Sequence, residues 1–144
     1  MTIDDLHKQW SEDSRIDENN ITKAAIEIPK LHAKYYRYYI DENLKLRKLK
    51  SDLNDLLQLK RQWYRGELSR EELTELGWSQ QPLKVLRSDI EQYVMAEKDV
   101  IAKTLRVGLQ EELAAFLESI VKQINTRNFI LKTIVDYERF KTGG

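Results

Sequence analysis

The stretch "LRKLKSDLNDLLQLKRQWYRG", residues 46–66, decides the fold class. Leu46, Leu49, Leu53 and Leu56 recur at alternating spacings of three and four, and Lys60 and Trp63 continue the rhythm. That is the a/d pattern of a helix that lays one seam against another helix, within the chain or in a second copy. No glycine or proline interrupts it before Gly66, which can take the left-handed conformation that ends a helix. Upstream, nothing breaks the helix back to Leu31, although "KYYRYY" (34–39) spreads four tyrosines over nearly all faces. Pro29 is expected to end or kink an earlier helix at about Ile28, because it lacks an amide hydrogen and its ring crowds the preceding turn.

Further out the elements are shorter. Thr2 with Asp5 reads as a reciprocal helix cap, opening a helix to about Asp13 with Ile3, Leu6 and Trp10 on one face. "SRIDENN" (14–20) is a loop, and the next helix opens near Ile21 or Thr22. Ser69 with Glu72 is a second capping box, and Gly77 its stop; Ser88 with Glu91 is a third. "LKVL" (83–86) suits a very short strand or an extended link. Helical periodicity then continues with Gly108 as a possible interruption, and is strong at Leu109, Leu113, Phe116, Leu117, Ile120 and Ile124. "NTRN" (125–128) is a break, and a last helix covers 126–141. The expected fold is all-α or nearly so: one helical domain over 1–144, with long kinked helices forming a hairpin or bundle.

Composition narrows the function classes. The chain has 144 residues, and charged residues make up 33% of them, with only five glycines and two prolines, which suits solvated helices with few turns. It has no cysteine, so disulfides and thiolate metal sites are excluded and a reducing compartment is acceptable. No apolar run suits a membrane span, and the polar, acidic start does not resemble a signal peptide. The histidines, His7 and His32, stand apart without metal-ligand spacing, and no glycine-rich phosphate loop is present. No catalytic constellation emerges, so no enzyme, cofactor or metal is expected.

Net charge is zero, yet the charges are segregated. Residues 30–65 hold ten basic and four acidic side chains, a balance of +6, whereas residues 1–29 and 66–125 each come to −4. Such asymmetry favours a polyanionic partner, although a solvated lysine-rich helix gives the same pattern. The 30–65 helix ends in "LKRQWYRG" (59–66), which combines cations for phosphates with aromatic rings for bases, the two needs of single-strand binding. Candidate contacts are Lys60, Arg61, Trp63, Tyr64 and Arg65, with Lys45 and Lys48 extending the track upstream beside Arg47 and Lys50. Trp63 on the seam equally suits a core position and Lys60 a polar seam residue, whereas Arg61, Tyr64 and Arg65 fall off the seam. In "FILKTIVDYERF" (129–140) seven of twelve residues are apolar. They spread over about 240° of a helix where one core needs little more than about 100°. Phe129, Ile130, Ile134, Tyr137 and Phe140 are therefore candidates for contact with another copy of the chain, or for a central core helix.

Three stretches, "LKRQWYRG" (59–66), "AEKDVI" (96–101) and "TRNFILKTIVDYERF" (126–140), resemble the UvsY family of recombination mediators from tailed bacteriophages, along nearly the whole chain. The resemblance implies a non-enzymatic protein that binds single-stranded DNA. It would help load a phage RecA-like recombinase onto strands covered by phage single-strand-binding protein, in the cytoplasm of the infected bacterium. It further implies a ring of six or seven copies assembled through the C-terminal helix. Basic residues ahead of the aromatic pair would contact DNA. Lys60 matches one of these; Gln58 stands where another is expected, and Arg61 supplies a charge nearby. The competing class is a helical adaptor or assembly chaperone acting only through protein contacts.

Overall fold

The structure, a computed structural model, describes every residue except Leu83 and Gly144. Among the described residues there are six α-helices and no strand: α1 (Ile3–Asp13), α2 (Ile21–Tyr64), α3 (Arg70–Leu76), α4 (Ile90–Met95), α5 (Lys98–Asn125) and α6 (Arg127–Lys141). A 3-10 turn, Arg87–Asp89, precedes α4. Leu83, where the expected short strand begins, lies outside the described residues, and 84–86 form no strand.

Local signals set most boundaries. Thr2 and Asp5 exchange backbone and side-chain bonds at 3.1 Å each, closing the first turn of α1. Asn20 caps α2 by accepting the Lys23 amide at 3.2 Å. Ser69 and Glu72 form the expected box on α3, and Gly77 ends that helix in the left-handed region. At the end of α2, Gly66 takes φ 71°, its amide bonds to Trp63 O, and the Glu67 amide reaches back to Gln62 O at 2.9 Å. These two bonds satisfy carbonyls that the helix end would otherwise leave open.

Three boundaries differ from the sequence reading. α2 runs through Pro29 without ending. The proline forfeits one backbone bond, but Ile28 and Leu31 on either side of it pack against the same core, which holds the helix together. The Ser88–Glu91 box does not form: Ser88 lies inside the 3-10 turn, α4 has no side-chain cap, and the Glu91 carboxylate is bonded to Arg61 instead. The helical interruption falls at Ala96–Glu97, between α4 and α5, while Gly108 lies within α5.

The chain gathers into two compact units, residues 1–44 with 110–144, and residues 45–109. The first is built on Leu6, Tyr35, Leu113, Leu117, Ile120 and Ile124, with Ile3, Trp10, Tyr38 and Phe116 packed around them. Of the four tyrosines, Tyr35 is fully buried and Tyr36 is exposed, lying flat on His32. The Tyr35 hydroxyl donates to Asp13 at 2.7 Å and Lys34 donates to the same oxygen at 2.6 Å. Burial pushes the Asp13 carboxyl up, but these bonds, with the charges of Lys34 and Arg127, outweigh it and hold the group below its ordinary range. Arg127, buried at the start of α6, donates to the Ser14 and Arg15 carbonyls at 3.3 and 3.2 Å, which fastens α6 to the loop after α1. Leu109, expected on the apolar face with Leu113, is exposed.

The second unit has a smaller core of Ile90, Val94 and Val100, flanked by Leu56, Leu57, Tyr64 and Val85. The seam leucines Leu46, Leu49 and Leu53 are half-buried.

Candidate nucleic-acid interface

The conserved geometry of an α-helix, about 100° per residue and 1.5 Å rise, sorts the basic residues of 45–65 into three groups. Leu46, Leu49, Leu53, Leu56, Lys60 and Trp63 form the seam. Opposite it, Arg47, Lys50, Asn54, Gln58, Arg61 and Arg65 fall within about 80° of one another. This stripe carries four cations and two amides and no carboxylate, over about 27 Å of helix. Every member is exposed except Arg61, which is half-buried. Lys45 and Lys48 lie on a third face together with Asp52 and Asp55, and Lys48 is paired to Asp52 at 2.9 Å.

The residues singled out in "LKRQWYRG" thus separate. Lys60 is only 7% exposed. Its ammonium lies 3.1 Å from Asp99 and 3.7 Å from Glu97, and 4.3 Å from the centre of the Trp78 ring. As a lone buried cation it would be costly; two carboxylates and an aromatic face compensate it. This geometry gives Lys60 the part of a polar seam residue and does not present it to solvent. Arg61 donates Nε and Nη2 to the two oxygens of Glu91, the second at 3.2 Å, a bidentate pair at the unit's surface. That hydrogen bond draws Glu91 below, and Arg61 above, their ordinary values.

The aromatic pair is likewise engaged inside the unit. Trp63 is half-buried, donates its indole N–H to Ser79 O at 2.7 Å, and meets Trp78 and Tyr64 edge-on. Tyr64, expected off the seam and free to stack on bases, packs on the Ile90–Val94–Val100 core and donates its hydroxyl to Glu97. Burial first, and then that bond to Glu97, push its phenol well above the ordinary value. Arg65 is exposed at the end of the stripe.

Sequence reasoning passed over Glu91, Glu97, Asp99 and Trp78, which hold these side chains in place. The signal for two of them was in the quoted "AEKDVI", whose carboxylates stand where the α4–α5 helical pattern breaks. In α6 the structure buries Arg127 and Leu131, half-buries Ile134, and leaves Ile130 and Tyr137 exposed, with Phe129 72% and Phe140 81% exposed. A second exposed row, Ile101, Leu105 and Leu109 on α5, was not anticipated. No group of metal-ligating side chains occurs among the described residues, and none of their helices is long and apolar enough to cross a membrane.

The fold is similar to three crystal forms of the bacteriophage T4 recombination mediator protein UvsY. The form called lattice type II matches with a TM-score of 0.84 and 20% identity, covering 99% of this chain and 98% of that one. Lattice type I gives 0.81 and 20% identity over 95% and 98%, and lattice type IV gives 0.83 and 19% over 97% and 99%. No curated protein sequence matches the chain significantly. Residues 9–144 match the family described as recombination, repair and single-stranded-DNA-binding protein UvsY, so the chain belongs to the UvsY family.

Proposed function

We propose that this protein is a recombination mediator. It binds single-stranded DNA as a homo-oligomeric ring and promotes loading of a RecA-like phage recombinase onto strands covered by single-strand-binding protein, in the cytoplasm of the infected host. The observation that carries the binding half is the row of Arg47, Lys50, Arg61 and Arg65 along one face of α2, a face to which the helix itself contributes no carboxylate, in a chain of this family. Such a row follows a phosphate backbone without reading sequence. Arg61 joins it by exchanging its bidentate bond to Glu91 for an equally bidentate bond to a phosphate. Lys45 and Lys48 contribute less, since Asp52 and Asp55 share their face. Lys60, Trp63 and Tyr64 act by fixing the end of α2.

Self-association is supported by the exposed Phe129, Ile130, Tyr137 and Phe140 of α6, with Ile134 beside them, and by the exposed row on α5. One stripe gives each copy a modest affinity. Six or seven copies raise it by effective concentration, because later contacts are intramolecular. A strand drawn along several copies is held away from the conformation its coating protein requires, which frees it for the recombinase.

One observation favours the adaptor reading: both cations of the "KR" pair, Lys60 and Arg61, are already matched by carboxylates of this chain. A loading assay separates the two. Recombinase is added to a labelled strand already covered by single-strand-binding protein, with and without this protein. The mediator reading expects the recombinase bound to the strand to rise; an unchanged level, with no binding of the bare strand, supports the adaptor.

A further inference from the structure

A cleft of about 430 Å³ opens beside the end of α2, and three cations line it: Arg65, Lys84 and Arg87. Arg65 is the last member of the cationic stripe. The other two come from the segment before α4, which the stripe does not include. Their placement follows from local structure. Val85 packs on the Ile90–Val94–Val100 core. Lys84 and Leu86, on either side of Val85, are both exposed. Arg87 opens the 3-10 turn that leads into buried Ile90.

None of the three cations has a carboxylate within ion-pairing distance among the described residues, in contrast to Lys60, Arg61 and Lys48. Two carboxylates stand against these three cations: Glu67 in the lining, and Glu91 at the edge, which is paired to Arg61 and also feels the charge of Arg65. The local balance is therefore positive, next to a helix end whose carbonyls would by themselves repel an anion. Tyr64, Val85 and Ile90 give the cleft an apolar wall. Convergent unpaired cations beside an apolar wall suit a nucleotide, with its phosphate on the guanidinium and ammonium groups and its sugar and base along the wall.

We infer that Arg65, Lys84 and Arg87 form a nucleotide site which seats one phosphate of the bound strand, and so carries the strand off the end of α2 onto the segment before α4. This inference rests on the single-strand reading above and adds Lys84 and Arg87 to the contacts it names.

The test uses the full-length protein and the Lys84→Gln/Arg87→Gln double variant, whose changes fall on exposed side chains. Labelled dT12 is titrated at several salt concentrations, and thymidine 5′-monophosphate is titrated separately into 15N-labelled protein. The double variant is expected to bind dT12 about tenfold more weakly at low salt, the loss of a charged hydrogen-bonding contact. Its log–log salt slope should be shallower by about 0.7, one phosphate of a single strand. In the unaltered protein both ligands should shift the amide signals of Lys84 and Arg87. If the protein binds dT12 but the double variant keeps its slope, the cleft is overturned and the single-strand reading stands. If the mononucleotide shifts those signals and dT12 does not, the site takes a free nucleotide and the strand assignment is overturned. If no dT12 binds at all, the single-strand reading fails as well; mononucleotide shifts at Lys84 and Arg87 would then mark a free-nucleotide site, and their absence would remove the site altogether.

Discussion

Replacing Lys60 with methionine separates a cation that holds the fold from one that holds DNA. Methionine keeps the length of the stem and removes the charge. At 3.1 Å and an effective dielectric of about 20, the attraction to Asp99 is worth roughly 5 kcal/mol before solvation. Desolvating the ammonium offsets most of that, since Lys60 is 7% exposed. Breaking a fully buried pair from one side costs about 3–5 kcal/mol, chiefly for the charge left behind. Here the charges left behind are better placed: the Asp99 side chain is 47% exposed, and Glu97, 25% exposed, keeps the Tyr64 hydroxyl. Methionine also retains the apolar contact with Trp78. The expected loss is therefore about 1–3 kcal/mol, read as a lowered urea midpoint with an unchanged slope. Adding Asp99→Asn and Glu97→Gln to Lys60→Met removes the orphaned charges and should restore part of the loss. The salt slope of single-strand binding should not change in Lys60→Met. An unchanged midpoint together with a slope shallower by about 0.7 would refute the reasoning and make Lys60 a phosphate contact.

Other outcomes test the remaining parts. Arg47→Gln with Arg65→Gln should make the salt slope shallower by about 1.4, two phosphates of a single strand, whereas Lys45→Gln with Lys48→Gln should change it by less than half as much; equal effects would remove the distinction between the two faces. Phe129→Ser, Tyr137→Ser and Phe140→Ser together alter only exposed side chains, so each chain should keep its helical circular dichroism while light scattering shows monomer to dimer, and affinity for long strands falls by about 10²-fold or more; an intact ring would contradict the role given to α6. Because the folded Asp13 carboxyl is held below its unfolded value, its stabilisation is complete above the unfolded value and is lost as pH falls through the folded one. Stability should therefore decline below about pH 4, and Asp13→Asn should flatten part of that decline in urea melts taken from pH 6 to pH 2.5.

Features made within one turn of chain were legible in the sequence. The Thr2–Asp5 and Ser69–Glu72 boxes and the stops at Gly66 and Gly77 depend on neighbours three to five residues away, so residue type and spacing are enough. The exposed side of α6 was legible for a related reason, since an apolar arc wider than one core can cover is a property of the helix alone. What escaped depends on contacts across the chain. Arg61 meets a carboxylate 30 residues further on and Lys60 two carboxylates 37 and 39 residues on, so a charge run that reads as an open track has two of its members taken. The same competition undid the Ser88–Glu91 box. Pro29, read as an end or a kink, does not end α2, because tertiary packing of Ile28 and Leu31 outweighs one lost backbone bond.

The most direct measurement is fluorescence anisotropy of labelled oligothymidine with the full-length protein, repeated from about 50 to 200 mM salt, the range over which phosphate contacts are progressively weakened. Strands long enough to touch several copies should bind tightly at the low end, with log affinity falling linearly against log salt. The stripe's four cations and the two added by the cleft set the expected slope at no more than about 0.7 for each phosphate they hold. Affinity that is absent at low salt, or present and indifferent to salt, would contradict a strand held by its phosphates on the face of Arg47, Lys50, Arg61 and Arg65.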